Sequence, residues 1–238
     1  MSQNKKIRNS LSVIVPAYNE EENLSAAIKN LLKALKNLKN YEIIIFDDHS
    51  SDKTGEIADS FAGKNKRIKV VHNKKNRGFG YNCITGFKMA SKEYCTIFPG
   101  DNENSWESFA EQINLIGKSE IISSYTINTK VRSLTRRLIS NAFTKLVNFL
   151  FRLNLKYYNG ITVYPTKILK HTKVETSGFT FNAEILIKLL KSGYRLTEFG
   201  VKINPAKKTN IFRLKNIVSV IWNVCRLFYI INIKRERY

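Results

Sequence analysis

The chain has 238 residues, 43% of them hydrophobic and 25% charged, and this balance excludes a disordered, collagenous or low-complexity protein. Its 40 Lys and Arg outnumber 19 Asp and Glu, which gives a formal net charge of +21 at pH 7. Residues 1–128 hold 18 basic and 15 acidic residues, whereas residues 129–238 hold 22 and 4. This excess indicates an anionic partner: nucleic acid, an anionic membrane surface or a phosphorylated ligand.

The cysteines and the first ten residues indicate the cellular compartment in which the protein is expected. Cys83, Cys95 and Cys225 are scattered, with no paired spacing that would indicate a zinc site or a disulfide framework. The polar, basic stretch Met1 to Ser10 lacks the apolar core of a signal peptide. We therefore expect a reducing, cytoplasmic setting.

Strand and helix patterns alternate through the first half. Short apolar, β-branched runs predict strands at residues 11–16, 41–46, 67–72, 94–98 and 120–124. Helix-start signals or helical spacing follow the first four strands, at residues 19, 51, 78 and 105. The order predicts an α/β fold with a doubly wound, mostly parallel sheet.

The second half contains two apolar segments with basic residues. Residues 132–156 hold six basic residues and no acids among Leu, Ile, Val and Phe, which predicts a basic amphipathic helix. Arg132 and Arg136 are four residues apart, so on this helix they are expected to lie on the same face. Such a helix either packs on the core with a solvated face or lies in a membrane interface. Residues 217–233 are apolar but interrupted by Asn223, Arg226 and Asn232, so we predict an interfacial or docked helix rather than a membrane span.

Polar residues gather where the predicted strands end. Asp101 and Glu103 alternate around one residue, so an extended turn points both carboxylates the same way, which gives a suitable hard-oxygen site for a Mg²⁺ or Mn²⁺ ion that carries a diphosphate. Asp48 can accept hydrogen bonds from a base or ribose, and Arg77 offers a planar fork for a phosphate. Taken singly, each of these residues also fits a turn or a helix cap.

Four motifs occur in the order and register of a known family. They run from Ser12 to Glu20 (SVIVPAYNE), from Glu42 to Thr54 (EIIIFDDHSSDKT), from Asn76 to Gly78 (NRG) and from Gly100 to Glu103 (GDNE). With them, residues 11–125 resemble the inverting family 2 glycosyltransferases, which have the GT-A fold and use nucleotide-sugar donors. A weaker match over residues 132–156, 160–164 and 181–195 is similar to the dolichyl- or polyprenyl-phosphate branch. The resemblance implies one domain over residues 1–238, with a nucleotide-sugar-binding half at 1–128 and an acceptor- and membrane-facing half at 129–238.

The resemblance also implies residue roles. Pro16, Tyr18 and Glu20 line the nucleotide pocket, Asp48 holds the base, and Arg77 approaches the base or diphosphate. Asp101 and Glu103 stand at the family's Asp-x-Asp motif and hold the metal. Arg132 and Arg136 match the basic loop that meets the lipid phosphate, and Lys207 or Lys208 falls near the diphosphate clamp.

Several positions depart from the family pattern. Glu103 replaces the second Asp of the metal motif, and His49 replaces the Gly of the Asp-Asp-Gly-Ser turn. The acidic residue before the Gly160 strand is absent, with Tyr157, Tyr158 and Asn159 instead. The family's Arg-x-x-Gly-x-Ser-Lys loop is represented only by the stretch Lys207 to Arg213.

The predicted reaction is direct displacement at the anomeric carbon with inversion. A metal on Asp101 and Glu103, with Lys207, Lys208 or Arg213, would stabilise the departing diphosphate. A polyprenyl-phosphate acceptor needs no strong base because it is already an anion. A hydroxyl acceptor does need one, and for it Glu184 is the candidate, with a surface or capping acid as the alternative reading.

Competing functions stay open at this point. The predicted setting is the inner, cytoplasmic face of an anionic membrane, with a polyprenyl-phosphate or other lipid-linked acceptor. One alternative is a family 2 enzyme that modifies a hydroxyl of a surface polysaccharide or lipid-linked oligosaccharide. A nucleic-acid-binding protein is the remote alternative. Such a protein should carry basic residues among aromatics on one sheet face, whereas the basic residues here alternate with Leu, Ile and Phe on a predicted helix. A nicotinamide-dependent oxidoreductase lacks support, since the first turn has no Gly-x-Gly-x-x-Gly.

Overall fold

A computed structural model describes residues 10–176, 178–205 and 222–233, with the side chains of Phe179, Asn232 and Ile233 left undescribed. Helices cover both faces of one sheet. Its strands are β1 Ser10–Ala17, β2 Asn40–Asp47, β3 Ile68–His72, β4 Tyr94–Ile97, β5 Ile121–Thr126, β6 Thr162–Pro165 and β7 Leu196–Val201. The helices are α1 Leu24–Ala34, α2 Thr54–Lys64, α3 Phe79–Met89, α4 Trp106–Ile113, α5 Leu134–Phe151, α6 Thr166–His171 and α7 Phe181–Lys191, with a further helix, α8, at 222–228.

The central strands are buried on both faces, as their Ile-rich sequences predict. Along β2, Ile43 and Ile45 pack with α1, α2 and α4 on one face of the sheet. Ile44 and Phe46 pack with α3 and α7 on the other face. The period-2 alternation of a strand thus supplies two separate cores from one segment.

The strand order is β3-β2-β1-β4-β6-β5-β7, which confirms the predicted α/β fold with a mostly parallel sheet. Strand β1 pairs in parallel with β2 and β4, so the carboxyl ends of these three strands meet at one edge. Strand β6 runs antiparallel to both β4 and β5. The first half of the chain therefore forms the parallel block that carries the candidate motifs.

The predicted basic helix at 132–156 is shorter in the structure. Helix α5 begins after Ser133, whose hydroxyl accepts a hydrogen bond from the Arg136 N–H and caps the helix. It ends at Phe151, and the next residue, Arg152, caps the helix in the left-handed conformation with φ of 51°. Arg132 therefore precedes the helix, and the expectation that Arg132 and Arg136 share a helical face was wrong.

The C-terminal segment is described only at 222–233. Val224 and Leu227 of α8 are buried in the core that α5 and α7 share, and Phe228 meets Phe151 with ring centroids 6.1 Å apart. The rest of the predicted interfacial segment and the basic run after it lie outside the described residues. Among the helices in the described ranges, none combines the length and hydropathy needed to cross a bilayer.

Candidate active site

The loops that follow β1 and β2 are tied together by hydrogen bonds. The Asn19 N–H donates to the Ser50 hydroxyl at 3.0 Å, and the Ser51 N–H donates to the Asn19 side chain at 2.9 Å. The Glu20 N–H donates to the Thr54 hydroxyl at 2.7 Å. These bonds fix the first two motifs of the sequence as one rigid wall, although about 30 residues separate them.

Asp48 organises the turn before α3. Its carboxylate accepts hydrogen bonds from the Arg77 N–H at 2.8 Å, the Gly78 N–H at 2.7 Å and the Asn73 side chain at 2.7 Å. Gly78 has a φ of 85°, a left-handed conformation that its missing side chain permits. A carboxylate offers about four acceptor positions, so Asp48 retains one for a ligand.

A cleft of about 150 Å³ opens where these loops meet the end of β4. It brings together five of the predicted site residues: Pro16, Tyr18, Glu20, Asp48 and Asp101. The cleft is also lined by four residues that the sequence analysis did not assign to the site: Ala17, Phe79, Asn82 and Pro99. Phe79 and Asn82 were missed because they lie in the first turn of α3, where their spacing also fits a core-facing helix.

Arg77 lies at the exposed rim of this cleft. Its guanidinium stacks over the Tyr81 ring, 4.2 Å from the ring centroid, while its backbone N–H binds Asp48. The side chain therefore faces solvent beside the cleft.

Asp101 is the carboxylate best placed to bind a cation. Burial, with a smaller contribution from the nearby carboxylates of Glu103 and Glu20, raises the pKa of the Asp101 carboxyl to about 6, against the lowering effect of a hydrogen bond from the Glu103 N–H. Such a desolvated, electronegative position favours a positive ion. A single carboxylate also fits Mg²⁺ or Mn²⁺, which keep water and substrate phosphate as their other ligands.

Glu103, the second predicted metal ligand, is paired with both predicted phosphate-binding arginines. Nε and Nη2 of Arg132 lie 3.1 and 2.8 Å from Oε1 of Glu103, and Nη2 of Arg136 lies 3.4 Å from both carboxylate oxygens. The hydroxyl of Tyr157 accepts a hydrogen bond from Nη1 of Arg132 at 3.2 Å. Tyr157 belongs to the stretch where the family pattern has an acid, and here its phenol partners the arginine instead.

Glu184 has a different environment. Its side chain is fully buried, and its Oε1 lies 2.7 Å from Nζ of Lys188. The Glu184 carboxylate also accepts hydrogen bonds from the N–H groups of Glu175 and Thr176. These contacts tie α7 to the segment at 175–176, which is a structural role for Glu184, and Glu184 is not among the residues that line the cleft.

The basic residues predicted to clamp the diphosphate, Lys207, Lys208 and Arg213, lie outside the described residues. The segment that leads to them is fixed at the site. The Asn204 N–H donates to the backbone oxygen of Glu103 at 2.7 Å, and its side chain donates to the Asn102 oxygen at 3.0 Å.

Residues 12–174 match the model of glycosyl transferase family 2. The chain belongs to this family. The family 2 assignment confirms the resemblance seen in the four sequence motifs and covers all of the cleft residues described above.

Curated relatives add detail to the family assignment. A dolichol-phosphate mannosyltransferase of Pyrococcus furiosus is 30% identical over 246 residues, which covers 87% of this chain and 69% of that protein. A dolichyl-phosphate β-glucosyltransferase of Dictyostelium discoideum is 35% identical over 118 residues, 46% of this chain and 36% of the relative. The chain thus spans about a third to two thirds of the length of these relatives.

A solved structure supports the fold. The glucosyl-3-phosphoglycerate synthase of Mycobacterium tuberculosis, in complex with Mn²⁺, uridine diphosphate and glucosyl-3-phosphoglycerate, superposes with a TM-score of 0.67 at 15% identity. The match covers 92% of this chain and 78% of the synthase. The family 2 chain therefore has the predicted GT-A architecture.

Proposed function

We propose that this glycosyltransferase moves a sugar from a nucleotide-sugar to a polyprenyl phosphate, with inversion at the anomeric carbon. The observation that carries the proposal is the convergence of Arg132 and Arg136 on Glu103, two residues after the cleft residue Asp101. A pair of guanidinium groups beside a cation-binding carboxylate suits an anionic acceptor next to an anionic leaving group. The relatives named for dolichol phosphate support the same acceptor class.

The donor would occupy the cleft formed by the loops of β1, β2 and β4. Tyr18 is half exposed and offers a ring face, and the remaining acceptor position of Asp48 suits an N–H of the base or a ribose hydroxyl. Glu20 and Pro16 complete the wall, and Arg77 closes the rim. Complexes of the mycobacterial neighbour with uridine diphosphate support a nucleotide donor.

The proposed reaction is a single displacement at the anomeric carbon. An oxygen of the acceptor phosphate forms a bond to the anomeric carbon while the bond from that carbon to the donor diphosphate breaks, and a nucleoside diphosphate leaves. Asp101, joined by Glu103 when that side chain turns away from the arginines, would hold a Mg²⁺ or Mn²⁺ ion that neutralises the leaving diphosphate. Lys207, Lys208 or Arg213 would add positive charge to the same group.

The acceptor side needs charge recognition rather than a base. A phosphate monoester is ionised at neutral pH, so no group has to remove its proton before attack. This requirement agrees with Glu184, whose carboxylate is buried in an ion pair with Lys188. Arg132 and Arg136 would orient the phosphate toward the sugar.

We place the enzyme on the inner face of the membrane. Four apolar residues of α5 are between 46% and 81% exposed and lie at helical spacing along one side: Leu134, Leu138, Leu146 and Phe149. Residues 129–238, which contain this helix, carry 22 basic and 4 acidic residues. An apolar face amid positive charge suits the boundary of an anionic lipid surface.

The direct test is a donor and acceptor screen. Vesicles that contain undecaprenyl phosphate are incubated with the full chain, Mg²⁺ or Mn²⁺, and each of a series of radiolabelled UDP- and GDP-hexoses. We expect label in the lipid extract for at least one donor, and the Asp101→Asn variant should reduce the rate by about a thousandfold or more. No label in the lipid extract with any donor, while a parallel incubation with a polysaccharide or lipid-linked oligosaccharide labels that hydroxyl acceptor, would contradict the proposal.

A pair of double variants assigns the acceptor site. Arg132→Ala with Arg136→Ala should raise KM for undecaprenyl phosphate by about tenfold or more and leave KM for the donor unchanged. The matched control is Arg137→Ala with Lys145→Ala, which also removes two positive charges, both of them from α5. Equal effects of both doubles on the lipid KM would assign the arginines to general membrane attraction instead.

A further inference from the structure

Glu103 and the two arginines form a closely packed ion cluster beside the cleft residue Asp101, to which the Glu103 N–H donates a hydrogen bond. The three side chains are only 10–17% exposed. Arg132 presents Nε and Nη2 to one carboxylate oxygen, and Arg136 reaches both oxygens at the longer distance of 3.4 Å. Glu103 thus satisfies the donors that face it.

A carboxylate held this way stands where a phosphate would bind. Guanidinium groups recognise carboxylates and phosphates through the same planar fork of N–H donors. A phosphate that approaches Arg132 and Arg136 must therefore compete with Glu103 for these donors. The cluster and the acceptor site cannot be formed at the same time by the same N–H groups.

We infer that Glu103 is an internal anion that occupies the acceptor-phosphate site until ligands displace it, an inference that rests on the proposed function. Displacement moves its carboxylate away from the arginines, while its backbone N–H remains bound to Asp101 at 3.0 Å. The freed carboxylate then belongs to the cation side of the cleft, as the sequence motif predicts. Glu103 consequently couples the cation-binding position at Asp101 to the phosphate-binding position at Arg132 and Arg136.

The coupling has a defined sign. Glu103, when it holds a divalent cation with Asp101, would leave the arginines to a phosphate, and arginines that hold a phosphate would leave Glu103 to the cation. Each ligand therefore raises the affinity for the other by the same factor, as linkage requires. A permanent structural ion pair would show no such coupling.

The first experiment measures phosphate binding without metal. Isothermal titration of the full chain with geranyl phosphate, and separately with inorganic phosphate, is carried out in chelator. We expect Glu103→Gln to bind geranyl phosphate about tenfold more tightly than the wild type, because the competing charge is gone. The matched control is Glu111→Gln, an exposed carboxylate on α4, which should bind like the wild type.

A second variant guards against misfolding. Glu103→Asp keeps the charge but shortens the reach by one methylene, so its contacts to the arginines weaken and geranyl phosphate should bind a fewfold more tightly. Thermal unfolding followed by circular dichroism identifies which variants are folded. Unchanged or weaker phosphate binding in the folded variants would overturn the inference.

The second experiment adds Mg²⁺ and uridine diphosphate. The wild type should then bind geranyl phosphate more tightly and approach the affinity of metal-free Glu103→Gln, whereas equal affinity with and without these ligands would overturn the coupling. Equal affinity for geranyl and inorganic phosphate would support the exchange but contradict a lipid acceptor. The proposed function fails by a different result. A chain in which phosphate displaces Glu103, but which transfers no sugar to undecaprenyl phosphate, would contradict the proposed function and not this inference.

Discussion

His49 illustrates what a single residue contributes to the loop that follows β2. The position has a φ of 64°, in the left-handed region, where the family pattern has Gly. The motif revealed the substitution, whereas the backbone angle that explains the family's Gly becomes visible only in the structure. A bulky residue there costs roughly 1–2 kcal/mol, and Gly loses about 0.5–1 kcal/mol through its greater freedom in the unfolded chain.

We predict that His49→Gly stabilises the fold by about 0.5–1 kcal/mol, the difference between these two effects. The measurement is the urea midpoint. Asn19→Gly is the control, because Asn19 also has a left-handed φ of 54° but its side chain accepts a hydrogen bond from the Ser51 N–H. Asn19→Gly should lose stability, and a comparable loss in His49→Gly would contradict the strain argument.

At the scale of the elements, Glu42 joins β2 to its neighbours. Burial alone raises the pKa of Glu42, but hydrogen bonds from Ser12 and Ser91, together with Lys69, outweigh it and lower the pKa to about 2. Its carboxylate accepts from the Ser12 hydroxyl and the Ser91 N–H at 2.7 Å each. The side chain thus ties β1, β2 and the turn before β4, the strands that carry the cleft.

The lowered pKa predicts a pH dependence of stability. Because the folded-state pKa lies below the ordinary value of 4.5, the stabilisation is fully present above pH 4.5 and is lost as the pH falls toward 2. Glu42→Gln should cost about 2–3 kcal/mol at pH 7 and flatten the acid limb of the stability curve. Urea titrations between pH 7 and pH 2 measure both effects, and Glu56→Gln, at an exposed position, is the control. If Glu42→Gln lost stability with falling pH as steeply as the wild type, the result would contradict the role of the Glu42 hydrogen bonds.

The buried pair of Glu184 and Lys188 supports the loop beside α3. Glu184 binds the N–H groups of Glu175 and Thr176, and the chain then reaches Gly178, whose backbone oxygen would lie 2.7 Å from a Cβ placed on Gly80. Gly80 follows the cleft residue Phe79. Glu184 therefore holds the segment at 175–176 against α7, and Gly178, close by in the chain, packs against α3.

Glu184→Gln should lower the free energy of unfolding by about 3 kcal/mol, since it leaves the Lys188 charge buried without its carboxylate. The double variant Glu184→Gln with Lys188→Met should recover much of this loss, as measured by urea unfolding. Rate constants per folded molecule should change little for a phosphate acceptor. A stable Glu184→Gln variant with no activity would instead restore Glu184 as a base.

The elements differ in how far the sequence determines them. Ile-rich runs and helix-start residues predicted where the first five strands occur along the chain, because burial on both faces of a strand leaves a clear local pattern. The antiparallel direction of β6 was not predictable, since it depends on pairing with β4 and β5. The Arg132–Glu103 ion pair joins residues 29 positions apart, and the helical period assigned Arg132 to a face that it does not have.

For the whole molecule, the charge asymmetry and the exposed face of α5 predict reversible attachment to anionic vesicles. Binding should weaken as salt rises from about 0.1 M to about 1 M, where the Debye length falls from about 10 Å to about 3 Å. Phe149→Glu should reduce partitioning by about tenfold in a flotation assay, through loss of apolar burial and charge repulsion. Met89→Glu, at a 45% exposed position on α3, is the control, and equal losses in both variants would contradict an α5 interface.

The comparison that most directly tests the central claim uses two acceptors that differ in one group. Vesicles of equal lipid composition carry either undecaprenyl phosphate or undecaprenol, and the initial rate of sugar transfer is measured with a saturating donor and Mg²⁺ or Mn²⁺. The account predicts transfer to undecaprenyl phosphate and none above background to undecaprenol, because the site supplies arginines for an anion and Glu184, the candidate base, is buried in an ion pair with Lys188. Faster transfer to undecaprenol than to undecaprenyl phosphate would contradict it.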